Sequence, residues 1–232
     1  MPRVRHMSSL VETLKRFNRK ERNWLIRDVL GDGAKTLSSD FRGRLAGVLQ
    51  KHDPAIDIPA DAWWTTDYHI DWLIGCLTIL AEGESAISVA KTNKPPIVKG
   101  SQQDIDLLIS WETTLVLIEA KGVGSWKGSG TTSKLSRLCT LPDTLFSGLT
   151  PYLLFMSPED SNLSAEKMPK WIRNPGKPGH LELRLPPTHK PLLRVERCSL
   201  SKGKWRPDAQ GTEWRIEPAA ELSQKPTQHI VP

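Results

Sequence analysis

The stretch from Asp104 to Gly122, DIDLLISWETTLVLIEAKG, holds two apolar runs flanked by acids, and the second ends Glu119-Ala120-Lys121. Ile105 to Ile109 and Leu115 to Ile118 are rich in leucine and β-branched residues, with Trp111-Glu112-Thr113-Thr114 between them. That is the pattern of an antiparallel hairpin. A loop of two residues, Glu112-Thr113, or of four sets Asp106 opposite Glu119 and Asp104 opposite Lys121. Their Cβ atoms would then lie about 5 Å apart on one face of the sheet. A three-residue loop would instead turn Asp106 to the other face. In the first arrangement three carboxylates and one lysine crowd one end of the sheet. One lysine cannot neutralise three carboxylates. Hard oxygen ligands on a rigid scaffold, with open positions for water, suit Mg²⁺ or Mn²⁺.

Such a cluster needs elements to position it. Ser9 and Glu12 form a capping box ahead of Leu10, Leu14 and Phe17, which predicts an amphipathic helix. A second apolar stretch, Trp24 to Leu30, stops at Gly31-Asp32-Gly33, and Ser39 caps a helix through Phe41, Leu45 and Leu49. Residues 1–60 therefore read as a basic helical N-terminal region. From Asp61 to Leu80 the spacing of Trp64, Asp67, Asp71, Ile74 and Thr78 predicts one longer helix. An extended segment follows, at Ala86 to Ala90 or at Ile97 to Val98, and then the hairpin. A Gly/Ser/Thr-rich loop, 122–132, leads to a helix near Ser133 to Leu141. Tyr152 to Met156 reads as a buried strand, parallel to a neighbour after its helical crossover. Residues 61–160 make the expected core. The runs LELRL, LLRVERCSL and TEWRIE place a small antiparallel β-rich appendage at 161–220, ahead of a disordered tail at 221–232.

Asp106, a spacer and then Glu119-Ala120-Lys121 resemble the PD-(D/E)XK nuclease superfamily, the restriction-endonuclease-like phosphodiesterases. The resemblance covers Asp61 to Ser157, including the order of elements. Neither aspartate follows a proline, since Ile105 precedes Asp106 and Gln103 precedes Asp104. The resemblance implies an α/β fold with a restriction-endonuclease-like core, a central mixed β-sheet flanked by helices. It implies Asp106 and Glu119 as Mg²⁺ (or Mn²⁺) ligands, the Ala120 carbonyl as a third, and Lys121 orienting the attacking water. Asp104 is then either a supporting acid or the motif aspartate in a shifted register. Many members add an acid from the preceding helix. Asp71 ranks ahead of Asp67, Glu82 and Glu84, because it sits deep in an apolar segment where an unpaired carboxylate is costly. The implied activity is a metal-dependent endonuclease acting on DNA, as a homodimer if it cuts both strands. The alternative is a catalytically inactive module of the same fold that binds nucleic acid or a protein partner. In the loop after the motif, Trp126 could stack on a base and Lys127 pair with a phosphate. Lys134 could reach back to a phosphate, or be a solvent-facing helix lysine.

The formal net charge of +6 favours a polyanionic partner only modestly. Its distribution is more telling. Arg3, Arg5, Lys15, Arg16, Arg19, Lys20, Arg22 and Arg27 crowd the start, and basic residues recur from Lys167 to Arg206. The longest apolar run, Trp72 to Ala81, is too short to span a bilayer, so no membrane partner is expected. The basic start lacks the apolar segment of a signal peptide. With three well-separated cysteines, Cys76, Cys139 and Cys198, this predicts a reduced, cytoplasmic setting and cysteines buried in the core. GVGSWKGSG lacks the Gly-Lys-Ser/Thr ending of a P-loop. His69 has no Cys or His at ligand spacing and reads as a core histidine. Of the nine tryptophans, Trp63, Trp64 and Trp72 read as core, while Trp171, Trp205 and Trp214 lie among basic residues.

Overall fold

A computed structural model describes residues 9–18, 36–100, 103–122, 126, 129–160, 163–164, 166, 168–174, 179–184 and 193–218. The stretch Trp24 to Leu30 with its Gly31-Asp32-Gly33 stop, Lys127, and the tail 221–232 lie outside the described residues. The chain divides into two compact units, 1–183 and 184–232.

In the first unit, Ser9 caps helix α1 (Leu10–Phe17) by accepting from the Glu12 N–H at 3.2 Å. Helix α2 (Ser39–Leu49) is capped one residue earlier than expected, by Ser38, which takes the Phe41 N–H. The expected helix over Asp61 to Leu80 is in fact two elements. Trp63–His69 is strand β1, and Ile70–Glu82 is helix α3. The reason is local. WWTTDYH is aromatic and β-branched, which suits a pleated, half-buried surface better than a helix. No strand forms between Gly83 and Gln103 among the described residues, so β1 takes the place of the expected extended segment.

Strand β2 (Asp104–Trp111) and strand β3 (Thr114–Ala120) form the hairpin, helix α4 spans Ser129–Cys139, and strand β4 spans Thr150–Ser157. Strand β5 (Gly179–Glu182) closes a five-stranded mixed sheet in the order β1-β2-β3-β4-β5. The β1-β2 and β2-β3 pairs are antiparallel, while β3-β4 and β4-β5 are parallel. LELRL therefore begins in the main sheet and does not belong to an antiparallel appendage. Its pairing partner is Leu154 to Ser157, which local alternation cannot identify.

Alternation along β3 explains the layers. Leu115 and Leu117 point to a cluster that contains Leu10, Leu14, Leu73, Leu77, Leu135 and Leu138, from α1, α3 and α4. Val116 and Ile118 point to the opposite cluster, with Leu45 and Leu49 of α2. The sheet is thus flanked by helices on both faces, and β3 and β4 are buried on both sides, as parallel strands in α/β folds are. The N-terminal helices are part of this core rather than a separate region. Tyr68 of β1 donates its hydroxyl to the Leu14 carbonyl at 3.0 Å. At Gly75 in α3 a Cβ would meet the Phe17 ring at 2.8 Å, so the helices approach where there is no side chain.

In the second unit, strands β6 (Leu193–Ser201), β7 (Lys204–Pro207) and β8 (Glu213–Pro218) form an antiparallel sheet in the order β7-β6-β8. Cys76 and Cys198 are buried and Cys139 is exposed, so the third cysteine is not a core residue. No helix among the described residues is long and apolar enough to cross a membrane.

Candidate metal and phosphodiester site

The hairpin turn is Glu112-Thr113, two residues, with Trp111 paired to Thr114. Glu112 adopts φ 45°, the positive backbone angle that lets so short a loop close without a glycine. The resulting register pairs Leu107 with Ile118, which brings Asp106 and Glu119 to the next level across the two strands. Beyond that level the ladder ends, and a side chain takes over. Asp106 Oδ2 accepts the Ala120 backbone N–H at 2.7 Å. Its other oxygen, Oδ1, lies 3.4 Å from Lys134 Nζ. Lys134 also bonds Glu119 Oε2 directly.

Glu119 is the most constrained member of the group. It is 5% exposed, and its Oε1 is buried with no hydrogen-bond partner among the described residues. Burial, then the neighbouring Asp106 charge, push its pKa up to about 8 against the pull of Lys134. For Lys134, burial favours the neutral amine, but Glu119 and Asp106 together outweigh it and raise its pKa. An orphaned carboxylate oxygen in a buried acidic site is a strong demand for a cation or a donor.

These groups line an open cleft of about 470 Å³, together with Asp67, Gln103, Asp104, Ala120, Lys121, Trp126, Gly130 and Thr131. The cleft's charged lining is four carboxylates and two ammonium groups. Lys121 lies at the end of β3, tied by its backbone N–H to the Met156 carbonyl at 2.8 Å. Its Nζ sits 5.8 Å from the Trp126 ring centre. Trp126 itself is packed rather than offered to a base. It is 8% exposed, stands edge-on to Phe155 and donates Nε1–H to Ser157 Oγ at 3.2 Å. Asp104 lines the cleft but pairs across β1-β2 with His69, whose Nδ1 is 3.3 Å from Asp104 Oδ1. His69 is half-buried rather than a core residue; its ring lies tilted against Trp72 at 4.1 Å and it pairs with an acid of the cleft.

The acids expected from a preceding helix are distributed differently. Asp71 does not line the cleft. It accepts the Lys99 and Gly100 backbone N–H groups at 3.1 and 2.8 Å and pairs with the buried Arg137 of α4. Its deep position is satisfied structurally, so it has no free oxygen aimed at the site. Glu82 pairs with Lys91 and Glu84 with Arg16 on the surface. The acid that does reach the cleft is Asp67, in β1 at φ 52°. Thr66 pairs with Leu107 and Tyr68 with Ile105, so Asp67 falls at the level of Asp106. Reading 61–80 as a helix hid that placement. A strand reading of WWTTDYH would have found it. Nothing local marked Lys134 as the bridge between Asp106 and Glu119, because that contact joins α4 to two strands.

Do these residues fit Mg²⁺? Among the described residues, no three His, Cys, Asp or Glu side chains meet as a metal-binding group. Two carboxylates, a backbone carbonyl and water remain a sufficient set for Mg²⁺, which keeps several waters and takes few protein ligands. The orphaned Glu119 Oε1 beside Asp106 fits that set. Protein-family models, curated proteins and solved structures contain no match to this chain.

Proposed function

We propose that the chain is a metal-dependent endonuclease of the PD-(D/E)XK, restriction-endonuclease-like type, hydrolysing phosphodiester bonds in DNA. The observation that carries this reading is the pairing of Asp106 with a buried Glu119 that keeps one oxygen unpartnered, at a cleft that also holds Lys121 and Lys134. The order of hairpin, helix and parallel strand supports the same fold type. Asp106, Glu119 and the Ala120 carbonyl would hold Mg²⁺ or Mn²⁺, which supplies Lewis-acid polarisation of the scissile phosphate and a more acidic attacking water. The chain's own residues do the positioning. Asp106 is oriented by the Ala120 N–H, so that Oδ1 faces the cleft. Lys121, on the open side, orients the attacking water by donating to its oxygen. The ammonium groups of Lys121 and Lys134 offset the charge that builds on the phosphodiester oxygens. Two copies would be needed to cut both strands at once.

The test is cleavage of supercoiled plasmid, linear duplex, single-stranded DNA and RNA with Mg²⁺, with Mn²⁺ and with chelator. Glu119→Ala and Lys121→Ala are run alongside. Metal-dependent cutting of DNA that both substitutions abolish is expected. Folded protein that binds DNA but cuts nothing would support a binding module of the same fold. That second reading is favoured by one observation: Lys134 already pairs with both acids without a metal.

A further inference from the structure

We infer that Lys134 is a built-in counter-ion for Asp106 and Glu119, occupying the place a divalent metal would take, so that metal binds only by displacing it. The inference rests on the metal-dependent reading above. Asp106 Oδ2 accepts the Ala120 N–H, and its other oxygen, Oδ1, faces Lys134 Nζ at 3.4 Å. The same ammonium holds Glu119 Oε2. A dication bridging the two acids would therefore stand against an ammonium at contact distance, inside a partly buried site where charges are poorly screened. The two cations exclude one another.

The geometry also provides somewhere for the ammonium to go. Leu135 and Leu138 of α4 are buried in the core, so the helix stays in place and only the side chain moves. Helical side chains lean toward the N-terminal turn. One turn before Lys134 lie Gly130 and Thr131, both lining the cleft. A side chain at Gly130 would meet nothing within 4 Å among the described residues, so that turn is open. Swung over it, Lys134 keeps its charge in the cleft, where a substrate phosphate can take the place of the carboxylates. Metal and phosphate then help each other bind, because each favours the same displaced position of Lys134.

The experiment is a calorimetric titration of Mn²⁺ into wild type, Lys134→Met, Lys134→Gln, Lys121→Met and Glu119→Ala. A mildly alkaline buffer keeps Glu119 ionised, and circular dichroism checks folding. The two Lys134 variants are expected to bind Mn²⁺ at least about tenfold more tightly than wild type, because removing one ammonium at contact removes its repulsion. Lys121→Met, whose ammonium does not contact the acids, should change the Kd by much less, and Glu119→Ala should lose the binding. Unchanged or weaker binding in both Lys134 variants, or equal tightening in Lys121→Met, would overturn the inference while leaving the metal site standing. If neither wild type nor the Lys134 variants bind Mn²⁺, the metal reading itself fails and the inference with it.

Discussion

Glu119 is a glutamate on an interior strand, which is a costly place for a charge. Its raised pKa has a direct consequence for stability. The folded protein keeps the Glu119 proton up to about pH 8, whereas an ordinary glutamate releases it near 4.5. Between those values the folded state binds more protons than the unfolded chain, so stability falls as pH rises through that window. The contribution is fully present below the lower value and gone above the upper one. In chelator, the urea midpoint of wild type should drop across this range. Glu119→Gln, which mimics the protonated acid at all pH values, should lose that part of the slope. An equal slope in the variant would mean that other groups set the pH dependence. The same burial makes metal binding compete with a proton, so affinity for Mn²⁺ should increase as pH rises toward and past about 8.

At the scale of elements, α3 and α4 are tied together by an ion pair that the site does not use. Arg137 is fully buried, pairs with Asp71 and donates to the Ile97 carbonyl at 3.1 Å. Asp71 in turn holds the backbone of Lys99 and Gly100. This single aspartate joins two helices and the segment that leads into β2. Removing it takes the Asp71 carboxylate from a buried guanidinium and two hydrogen bonds from the Lys99-Gly100 backbone, so Asp71→Ala should lose about 3–5 kcal/mol of stability. Denaturant unfolding measures that loss. Mn²⁺ binding by the folded variant should stay near the wild-type value, because Asp71 does not line the cleft. A variant as stable as wild type but unable to bind Mn²⁺ would return Asp71 to the site.

At the scale of the molecule, every cleft residue belongs to the unit 1–183, and β5 is the last strand of that unit. Arg44 of α2 holds the Glu182 carbonyl at 2.8 Å, which secures this edge. The unit 184–232 carries a different kind of surface. On one face of its sheet, Val195 is registered with Ile216 and Arg197 with Trp214, and Val195, Ile216 and Trp214 are exposed. A chain ending at Leu183 should therefore fold, shown by a cooperative thermal melt, and bind Mn²⁺ as the full chain does. Its affinity for DNA should fall, with a shallower dependence on salt, because the basic residues of 184–218 have been removed. Unchanged DNA affinity and salt dependence would show that the second unit makes no phosphate contacts.

Much of the cleft was legible in the residues themselves. Two apolar runs of the right length narrow Asp106 to two places, opposite Glu119 or on the other face of the sheet, and the two-residue turn selects the first. The Ser9 cap and the buried strand at Tyr152 are equally local, and they lie where the pattern puts them. The boundary at His69-Ile70 was not legible, because a helical stripe running through WWTTDYH and the true helix after it masked a strand. The aromatic and β-branched composition of WWTTDYH favours the strand, and pairing with β2 fixes it. The parallel place of β5 depends likewise on Leu154 to Ser157, far away in the chain. Asp67 entered the cleft, and Asp71 left it, for the same reason. Short-range pattern fixes which face a side chain takes on its own element, but not what stands across from it. The sequence by itself determined that Asp106 and Glu119 stand at the same end of the two strands of one hairpin. The tertiary structure decided that Glu119 is buried and that Lys134 answers it, because burial and ion pairing are set by segments that meet only when the chain is folded.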